Sequence, residues 1–297
     1  MPNLGTFTVN RIGFGAMQLA GPGVFGPPYD PAAARAVLRR AVELGVDHID
    51  TSQYYGPDVV NDLIREALHP YPEGLRLATK VGASRDDKGA WLPAQRPDEL
   101  RAGVEDNLRS LRVERIDLVN LRLLDHEGAP DVSLAEQLGA LADLRDEGKL
   151  DLIGISNVAR ATVEEALDLV DIACVQNGYS LLERDAEDVL ELCTERGLAF
   201  VPFFPLGSAF TGGPAKLAAD PAVARVAARH GATPSQVALA WLLHRDEGVL
   251  LIPGTSSITH LEENLAAGGL ALDADDLDAL EDVRAAGGPM QAAAHGD

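Results

Sequence analysis

Residues 31–56 read PAAARAVLRRAVELGVDHIDTSQYYG, and this stretch sets the pattern from which the fold follows. Asp30 followed by Pro31 is a typical helix start, because an Asp side chain caps free N–H groups and proline suits the first turn. The amphipathic helix that begins there ends at Gly45. A short apolar strand over residues 46–51 follows at once, as is typical of parallel α/β folds.

The same alternation of short apolar strands and amphipathic helices continues on both sides of this stretch. Seven further strands are predicted over residues 9–15, 75–81, 116–121, 152–156, 173–177, 199–204 and 249–253. Eight strands with intervening helices favour an α/β fold of the (β/α)8 TIM barrel type over an open doubly wound sheet. Because no linker or break in composition occurs, we predict a single domain over residues 1–297, with a loose tail over 286–297.

The predicted helices carry apolar stripes at helical spacing, which indicates one buried face each. Thr233 and Pro234 mark the start of one of them. The stripes consist of Leu100, Val104, Leu108 and Leu111; of Leu134, Leu138, Leu141 and Leu144; and of Val237, Ala238, Trp241 and Leu242.

Composition narrows the class of protein. The chain has 297 residues, of which 46% are hydrophobic, and 25 basic against 46 acidic residues leave a net charge of −21. Such acidity argues against nucleic acid, whose backbone needs clustered Lys and Arg. With no leader-like segment and no apolar run of membrane-spanning length, we expect a cytoplasmic protein without membrane contact or obligate protein partner. The two cysteines, Cys174 and Cys193, form no metal or disulfide motif and are expected in the core.

Three residues near predicted strand ends combine into a proton-donating group: Asp50, Tyr55 and Lys80. A tyrosine hydroxyl, with an ordinary pKa of about 10, is a weak acid. A nearby ammonium lowers that pKa, and a carboxylate keeps the ammonium charged and oriented. A parallel barrel gathers its catalytic groups at such strand ends. Without catalysis, Asp50 would be a helix cap, Tyr55 a loop aromatic and Lys80 a solvated strand end.

The stretch GPGVFG at residues 21–26 matches G-x-G-x-x-G but does not predict a Rossmann turn. That fingerprint must lead directly into a helix whose N-terminus holds pyrophosphate. Pro22, Pro27 and Pro28 forbid this geometry. We predict a rigid loop over the mouth of the barrel.

Joined to later segments, the trio resembles the aldo-keto reductase family over essentially the full length of the chain. Within that family, the stretches GAMQLAGPGVFGPP, VNLR and VPFFPLG are most similar to bacterial pyridoxal reductases. The matching pieces come in family order: RIGFGAMQL, VDHIDTSQYYG, LATKVG, IDLVNLRLLD, IGISNV, CVQNGYSLLER, FFPLG and IPGTSSITHLEEN.

The resemblance implies a TIM barrel that binds NADPH across its C-terminal mouth, with Asp50, Tyr55 and Lys80 at catalytic positions. It implies that the nicotinamide carboxamide is bound by Ser156, Asn157 and Gln176. It implies that the ring of Tyr179 stacks on the nicotinamide. The pyrophosphate loop would consist of Pro205, Leu206 and Gly207.

The same resemblance places the adenosine end of the cofactor on a later segment. Residues at the phosphate and adenine positions are Gly254, Thr255, Ser256, His260, Glu263 and Asn264. Thr259 is expected to cap a helix whose N-terminus attracts phosphate. Since Gly254 and His260 stand where many relatives have Lys or Arg, NADPH is expected but NADH stays open.

One position departs from the family pattern. Where the family has a catalytic His, the strand DLVNLR has Arg122. Arginine cannot shuttle a proton as imidazole does, but its fork can hold an oxyanion or a phenolate. Alternatively it pairs with Asp50 or Asp125 and plugs the barrel. His126 is expected to be a loop residue first and a substitute catalyst second.

The expected reaction is reduction of a small aromatic aldehyde, such as pyridoxal, to the alcohol. Its pocket would be shaped by Met17, Gln18, Phe25 and Trp91. A non-catalytic, nicotinamide-binding subunit that senses redox state is the alternative. A metal-dependent barrel hydrolase, suggested by His48 and Asp50, lacks a convergent ligand set, so we expect no metal and a core role for His48.

Overall fold

The computed structural model describes residues 3–124, 131–208 and 212–284, and it shows a parallel barrel surrounded by helices. Seven parallel strands pair in the order β10-β9-β8-β7-β5-β4-β3, and parallel bridges from Phe200 to Val249 and from Ile12 to Leu251 add the eighth segment, which closes the ring. The strands are β1 (Asn3–Leu4), β2 (Phe7–Thr8), β3 (Phe14–Gly15), β4 (His48–Asp50), β5 (Arg76–Arg85), β6 (Trp91–Ala94), β7 (Ile116–Arg122), β8 (Leu150–Ser156), β9 (Ile172–Gln176) and β10 (Ala199–Phe200). The TIM barrel prediction is confirmed.

Helices cover the outside of the barrel. Asp30 accepts hydrogen bonds from the backbone N–H groups of Ala32 and Ala33, and Thr233 forms a capping box with Gln236, so both predicted helix starts are confirmed. The helices are α1 (Pro31–Glu43), α2 (Val59–Leu68), α3 (Pro97–Leu111), α4 (Leu134–Asp146), α5 (Arg160–Leu169), α6 (Glu187–Arg196), α7 (Gly213–Ala219), α8 (Pro221–His230), α9 (Pro234–Arg245), α10 (Ile258–Ala266) and α11 (Ala274–Leu280).

The barrel interior is filled by small and branched side chains. Ala78, Leu118, Cys174 and Val201 belong to one buried cluster, which Leu4 of the β1–β2 hairpin joins. This hairpin therefore closes the end of the barrel at which the strands begin. The opposite end, where the strands finish, is left to polar side chains.

Several strand ends differ from the predictions. The predicted strand over residues 199–204 pairs regularly only at Ala199–Phe200, because Pro202 has no N–H to donate to a ladder. The predicted strand over 75–81 instead continues to Arg85 and turns back as β6, a hairpin that the sequence did not indicate. Gly82, at φ +104°, allows this bend.

In the part of the chain that the structure describes, no helix is both long enough and apolar enough to cross a membrane. The predicted tail over residues 286–297 lies outside the described residues.

Filling the barrel at Gly154 should destabilise the fold. A Cβ there would lie 2.2 Å from Asn120 Oδ1 and 2.8 Å from Cys174 Sγ, so Gly154→Ala should lower the free energy of unfolding by about 1–3 kcal/mol. Gly139→Ala, in open space on α4, should raise it by roughly 0.5–1 kcal/mol because alanine favours helix. Urea unfolding of both variants measures the difference; equal shifts would contradict tight packing at Gly154.

Candidate active site

The predicted trio comes together at the end of the barrel where the strands finish. Asp50 is the last residue of β4, Lys80 lies in β5, and the Lys80 ammonium forms a buried ion pair with the Asp50 carboxylate. The ammonium also donates to the carbonyl oxygen of Thr51 at 3.1 Å. It lies 5.1 Å from the centroid of the Tyr55 ring. A phenol, an ammonium and a carboxylate thus share one buried site.

A third strand holds the same carboxylate from across the barrel. Gln176 ends β9, and its Nε2 donates to the second oxygen of Asp50 at 2.9 Å. Both oxygens of Asp50 are therefore occupied, which fixes the orientation of the carboxylate. Gln176 Oε1 is buried and has no partner in the described structure. A buried acceptor without a donor is costly, so this oxygen is open to a ligand amide.

The charges around Tyr55 act differently from the sequence prediction. Burial raises the pKa of the Tyr55 phenol above its ordinary value, and the Asp50 carboxylate raises it further. Arg122 is the cation that opposes this shift. Because Lys80 is paired with Asp50, its charge is largely offset, and the expected net lowering by the ammonium was wrong. The raised pKa keeps the phenol protonated but makes it a weaker acid than a free tyrosine, so proton donation depends on the Arg122 guanidinium.

A buried amide network fixes the loop that connects Asp50 to Tyr55. Asn107, from α3, accepts from Thr79 Oγ1 at 2.6 Å and from Asn61 Nδ2 at 3.0 Å. Its own Nδ2 donates to Gln53 Oε1 at 2.7 Å and to the Gly103 carbonyl oxygen at 2.8 Å. All four hydrogen-bonding positions of the Asn107 side chain are thus used.

The network contacts the loop between Asp50 and Tyr55 through the side chains of Thr51 and Ser52. Thr51 Oγ1 donates to Asn61 Oδ1 at 2.8 Å, and Ser52 Oγ donates to Gln53 Oε1 at 3.1 Å. Asn107 was not among the predicted site residues, although it is a polar residue within the apolar stripe of α3. Such a position indicates a buried polar group that must have partners.

Arg122 ends β7 and stands free of carboxylates in the described residues. Its Nη1 donates to Ser156 Oγ at 3.2 Å, and its guanidinium carbon lies 4.6 Å from the centroid of the Phe203 ring. The alternative that Arg122 pairs with Asp50 is wrong, because Lys80 and Gln176 already occupy that carboxylate. Asp125 and His126 lie outside the described residues.

Tyr179 does not present a ring at the mouth. Its side chain is only 1% exposed, stacks against Trp241 at 5.9 Å, and donates its hydroxyl hydrogen to Glu187 of α6 at 2.5 Å. Both ring and hydroxyl are committed to packing between barrel and helices. The stacking role expected for Tyr179 is therefore wrong, because a fully covered ring has no face left for a cofactor.

Phe203 presents an aromatic ring beside Arg122 at the mouth. It is half-buried, its N–H donates to Asn177 O at 2.9 Å, and it lies against Arg122. Alternation along the strand could have indicated it, since Ala199 and Val201 face the barrel interior and Phe203 follows with the same period.

Two other residues expected to bind the nicotinamide end lie at the end of β8. Ser156 ends β8 and is buried, and Asn157 follows it in the left-handed region at φ +62°, which Asn tolerates better than most residues. Asn157 Nδ2 donates to Leu123 O at 2.7 Å. The predicted pyrophosphate loop turns at Gly207, with φ +81° after Pro205 and Leu206.

The predicted adenosine segment leads into α10. Gly254 allows close approach to β3, since a Cβ there would lie 2.5 Å from Gly15 O. Ser257, not the predicted Thr259, caps the helix by accepting from the backbone N–H of His260 at 3.4 Å. Thr259 is the second residue of the helix. The remaining members are Thr255 (buried), Ser256 and His260 (exposed), Glu263 (half-buried) and Asn264 (buried).

The loop at residues 21–26 is not a Rossmann turn, as predicted, because it forms a short 3₁₀ turn and α1 begins only at Pro31. Phe25 pairs with Gly56, next to Tyr55, and Trp91 contacts Tyr54 edge to face at 5.4 Å. Both thus lie beside the trio.

The other two predicted pocket residues lie nearer to other parts of the site. Met17 is half-buried and packs against the hydrophobic cluster that contains Phe14 and Leu19. Gln18 is exposed, and its Cγ lies 3.3 Å from a Cβ built on Gly254, so it sits beside the adenosine segment rather than beside Phe25.

His48 is buried in β4, with Nδ1 3.1 Å from Asp47 Oδ1. In residues 3–124, 131–208 and 212–284, no group of three His, Cys, Asp or Glu side chains is arranged to hold a metal ion.

Removing the hub of the buried amide network should weaken the fold around the trio. Asn107→Leu leaves Thr79 Oγ1 and Gln53 without their partner, so we expect the free energy of unfolding to fall by roughly 2–4 kcal/mol. Ser110→Ala removes one acceptor of Asn61 Nδ2 and the hydroxyl bonds to the backbone carbonyl oxygens of Asp106 and Asn107, and it should cost about 1 kcal/mol. Urea unfolding compares them; equal losses would show that Asn107 is no hub.

Comparison with known proteins agrees with this architecture. The profile of the aldo/keto reductase family matches residues 11–285. The chain is 49% identical over 282 residues to the pyridoxine 4-dehydrogenase of Escherichia coli. The aligned residues cover 94% of this chain and 96% of that protein.

Solved structures show the same fold. The thermostable aldo-keto reductase Tm1743 is 29% identical and superposes with a TM-score of 0.78, covering 93% of this chain and 95% of the other. An aldo-keto reductase from Klebsiella pneumoniae in complex with NADPH is 25% identical, with a TM-score of 0.75 and coverage of 92% and 90%. A barrel with a buried Asp–Lys pair beside a tyrosine, together with these matches over nearly the whole chain, shows that the protein belongs to the aldo/keto reductase family.

Proposed function

We propose that the protein reduces an aldehyde, pyridoxal or a similar small aromatic aldehyde, to the alcohol, with NADPH as hydride donor and Tyr55 as proton donor. The convergence of Asp50, Lys80 and Tyr55 carries the proposal. The half-identical relative from Escherichia coli, a pyridoxine 4-dehydrogenase, supports a substrate of this ring type. Oxidation of such an alcohol and reduction of the aldehyde are the two directions of one reaction.

The residues at the mouth fit a nicotinamide cofactor. The unpaired Gln176 Oε1 is an acceptor for a carboxamide N–H. Ser156 and Asn157 lie at the end of the neighbouring strand, β8. We propose that Phe203, rather than Tyr179, provides the aromatic surface. NADPH, when bound, supplies the hydride that adds to the carbonyl carbon. The remaining cofactor contacts are proposed for Pro205, Leu206, Gly207, Gly254, Thr255, Ser256, His260, Glu263 and Asn264.

Tyr55 completes the reduction. As hydride adds to the carbon, the carbonyl electron pair moves to the oxygen, which takes the phenolic proton. The resulting phenolate is stabilised by the guanidinium of Arg122, and it is reprotonated from solvent. Asp50 keeps Lys80 in place.

Arg122 is proposed to orient the substrate. Its guanidinium fork has no carboxylate partner in the described residues. Pyridoxal carries a phenolic oxygen beside its aldehyde, and a guanidinium fork can hold that oxygen.

We also propose a cytoplasmic location and a small-molecule substrate as the only obligate partner. Cys174 and Cys193 are unpaired and buried, which suits a reducing compartment.

Tyr55→Phe should lower the turnover of pyridoxal by at least about a hundredfold, because it removes the proton donor. Cofactor affinity should change less than twofold. Steady-state rates with NADPH and with NADH, and cofactor titration by fluorescence, measure both. A Phe variant with native turnover would disprove the donor role. If native protein binds NADPH but reduces no aldehyde in a panel, the redox-sensing alternative holds instead.

Arg122→Gln should lower kcat/KM for pyridoxal by roughly 10- to 100-fold, since a charged hydrogen bond to the phenolic oxygen is lost. Pyridine-4-carbaldehyde lacks that oxygen and should lose less than about threefold. Steady-state kinetics with both aldehydes make the comparison. Equal losses would mean that Arg122 acts on the carbonyl rather than on the ring substituent.

A further inference from the structure

Arg85, the last residue of β5, binds two segments of the mouth at once. Its Nε and Nη2 donate to the carbonyl oxygen of Gly89 at 2.9 and 2.7 Å, within the β5–β6 hairpin. Its Nη1 and Nη2 donate to the carbonyl oxygens of Val24 at 3.1 Å and Gly23 at 3.0 Å, in the loop at residues 21–26. One guanidinium thus connects two loops that are far apart in sequence.

The side chain is used for backbone contacts rather than for an ion pair. Among the described residues, no carboxylate pairs with Arg85, and the carboxylate of neighbouring Asp86 accepts from the backbone N–H groups of Lys88 and Ala90. Burial lowers the pKa of Arg85 from its ordinary value, while Asp86 opposes the shift. The guanidinium is half-buried and held between the two segments.

Two aromatic rings lie on the same guanidinium. Its central carbon is 4.1 Å from the ring centroid of Trp91 and 5.4 Å from that of Phe25. A Cβ built on Gly89 would lie 3.1 Å from Phe25 Cγ, so Phe25 packs directly on the hairpin turn. Phe25 and Trp91, with Arg85 between them, form one surface, which we call the pocket wall.

The pocket wall is continuous with the proton donor. Gly56, next to Tyr55, donates to Val24 O and accepts from Gly26 N, both at 3.1 Å. Trp91 contacts Tyr54 edge to face at 5.4 Å, and Tyr54 contacts Tyr55 in the same way at 5.3 Å. A displacement of the wall therefore alters the space in front of the Tyr55 ring.

The loop at residues 21–26 contains a strained residue that contacts from outside the loop must stabilise. Val24 has φ +57°, a conformation that is strained for a β-branched residue. Such strain persists only where surrounding contacts hold it. The Arg85 bonds to Gly23 O and Val24 O are contacts of this kind.

We propose that Arg85 is a positioning residue that holds Phe25 and Trp91 as the wall of the substrate pocket and so favours flat aromatic aldehydes. This inference rests on the proposed function. Arg85 acts through the wall and takes no part in the proton transfer. Lysine cannot replace it, because a single ammonium cannot reach both loops in one plane or stack on both rings.

Arg11 offers a matched control. It too binds backbone carbonyl oxygens, those of Leu243 at 2.7 Å, Asp246 at 2.5 Å and Val249 at 3.4 Å, without an ion pair among the described residues. It lies where the strands begin, remote from the trio. Arg11→Lys and Arg85→Lys therefore lose the same type of bond at opposite ends of the barrel.

The test compares kinetics and fluorescence of Arg85→Lys, Arg85→Gln and Arg11→Lys. Both Arg85 variants should raise KM for pyridoxal about tenfold, with kcat changed less than threefold, and leave KM for propanal and affinity for NADPH within about twofold. Arg11→Lys should leave all of these values unchanged. The proposal would be overturned if the Arg85 variants raised KM for pyridoxal and for propanal to a similar extent. It would also be overturned if Arg11→Lys raised KM for pyridoxal as much as the Arg85 variants do.

Acrylamide quenching of tryptophan fluorescence provides a readout that does not need activity. Trp91 is 40% exposed and Trp241 is buried, so quenching of the native protein reports mainly on Trp91. Releasing the wall should roughly double the quenching constant in the Arg85 variants and leave it unchanged in Arg11→Lys. An unchanged constant in both Arg85 variants would overturn the proposal that Arg85 holds the pocket wall. If the native protein reduces no aldehyde, the proposed function fails, whereas the quenching still tests whether Arg85 holds the wall.

Discussion

The buried ion pair between Lys80 and Asp50 is the interaction on which the rest of the site depends. Two charges taken out of water are costly, and their attraction offsets that cost only when further hydrogen bonds satisfy them. Here Thr51 O and Gln176 Nε2 provide those bonds. The pair therefore connects three strands at the mouth, and removing either partner would leave an unmatched charge inside the barrel.

The surrounding polar groups follow from the same constraint. Strands that end in a barrel mouth bring polar side chains out of water, and each must find a partner or cost free energy. The amide network centred on Asn107 satisfies the groups behind the Asp50–Tyr55 loop. Gln176 Oε1 is buried without a partner among the described residues, and this is the observation behind its proposed role in cofactor binding. Among the described residues, the Arg122 guanidinium contacts Ser156 Oγ and the Phe203 ring but no carboxylate.

The family assignment and the order of strands were predictable from the sequence because both depend on local patterns. Apolar runs identify strands, and caps such as Asp30 identify helix starts. The trio was predictable as a set of candidates, since each member lies at or just beyond the end of a predicted strand. Tyr179 shows what such patterns do not predict. The sequence around a tyrosine near a strand end is the same whether its ring faces the mouth or the helices. Only the packing of Tyr179 against Trp241 showed that its ring does not face the mouth, and only the contact with Arg122 placed the Phe203 ring there.

By itself, the sequence determined the barrel, its strand order and the chemical types available at its mouth, because periodicity and residue type are local properties. The tertiary structure alone decided which groups meet. It paired Lys80 with Asp50, reversed the expected shift in the pKa of Tyr55, and placed Arg85 between two distant loops. Distances, burial and the sharing of donors among acceptors arise only when segments far apart in the chain are packed together.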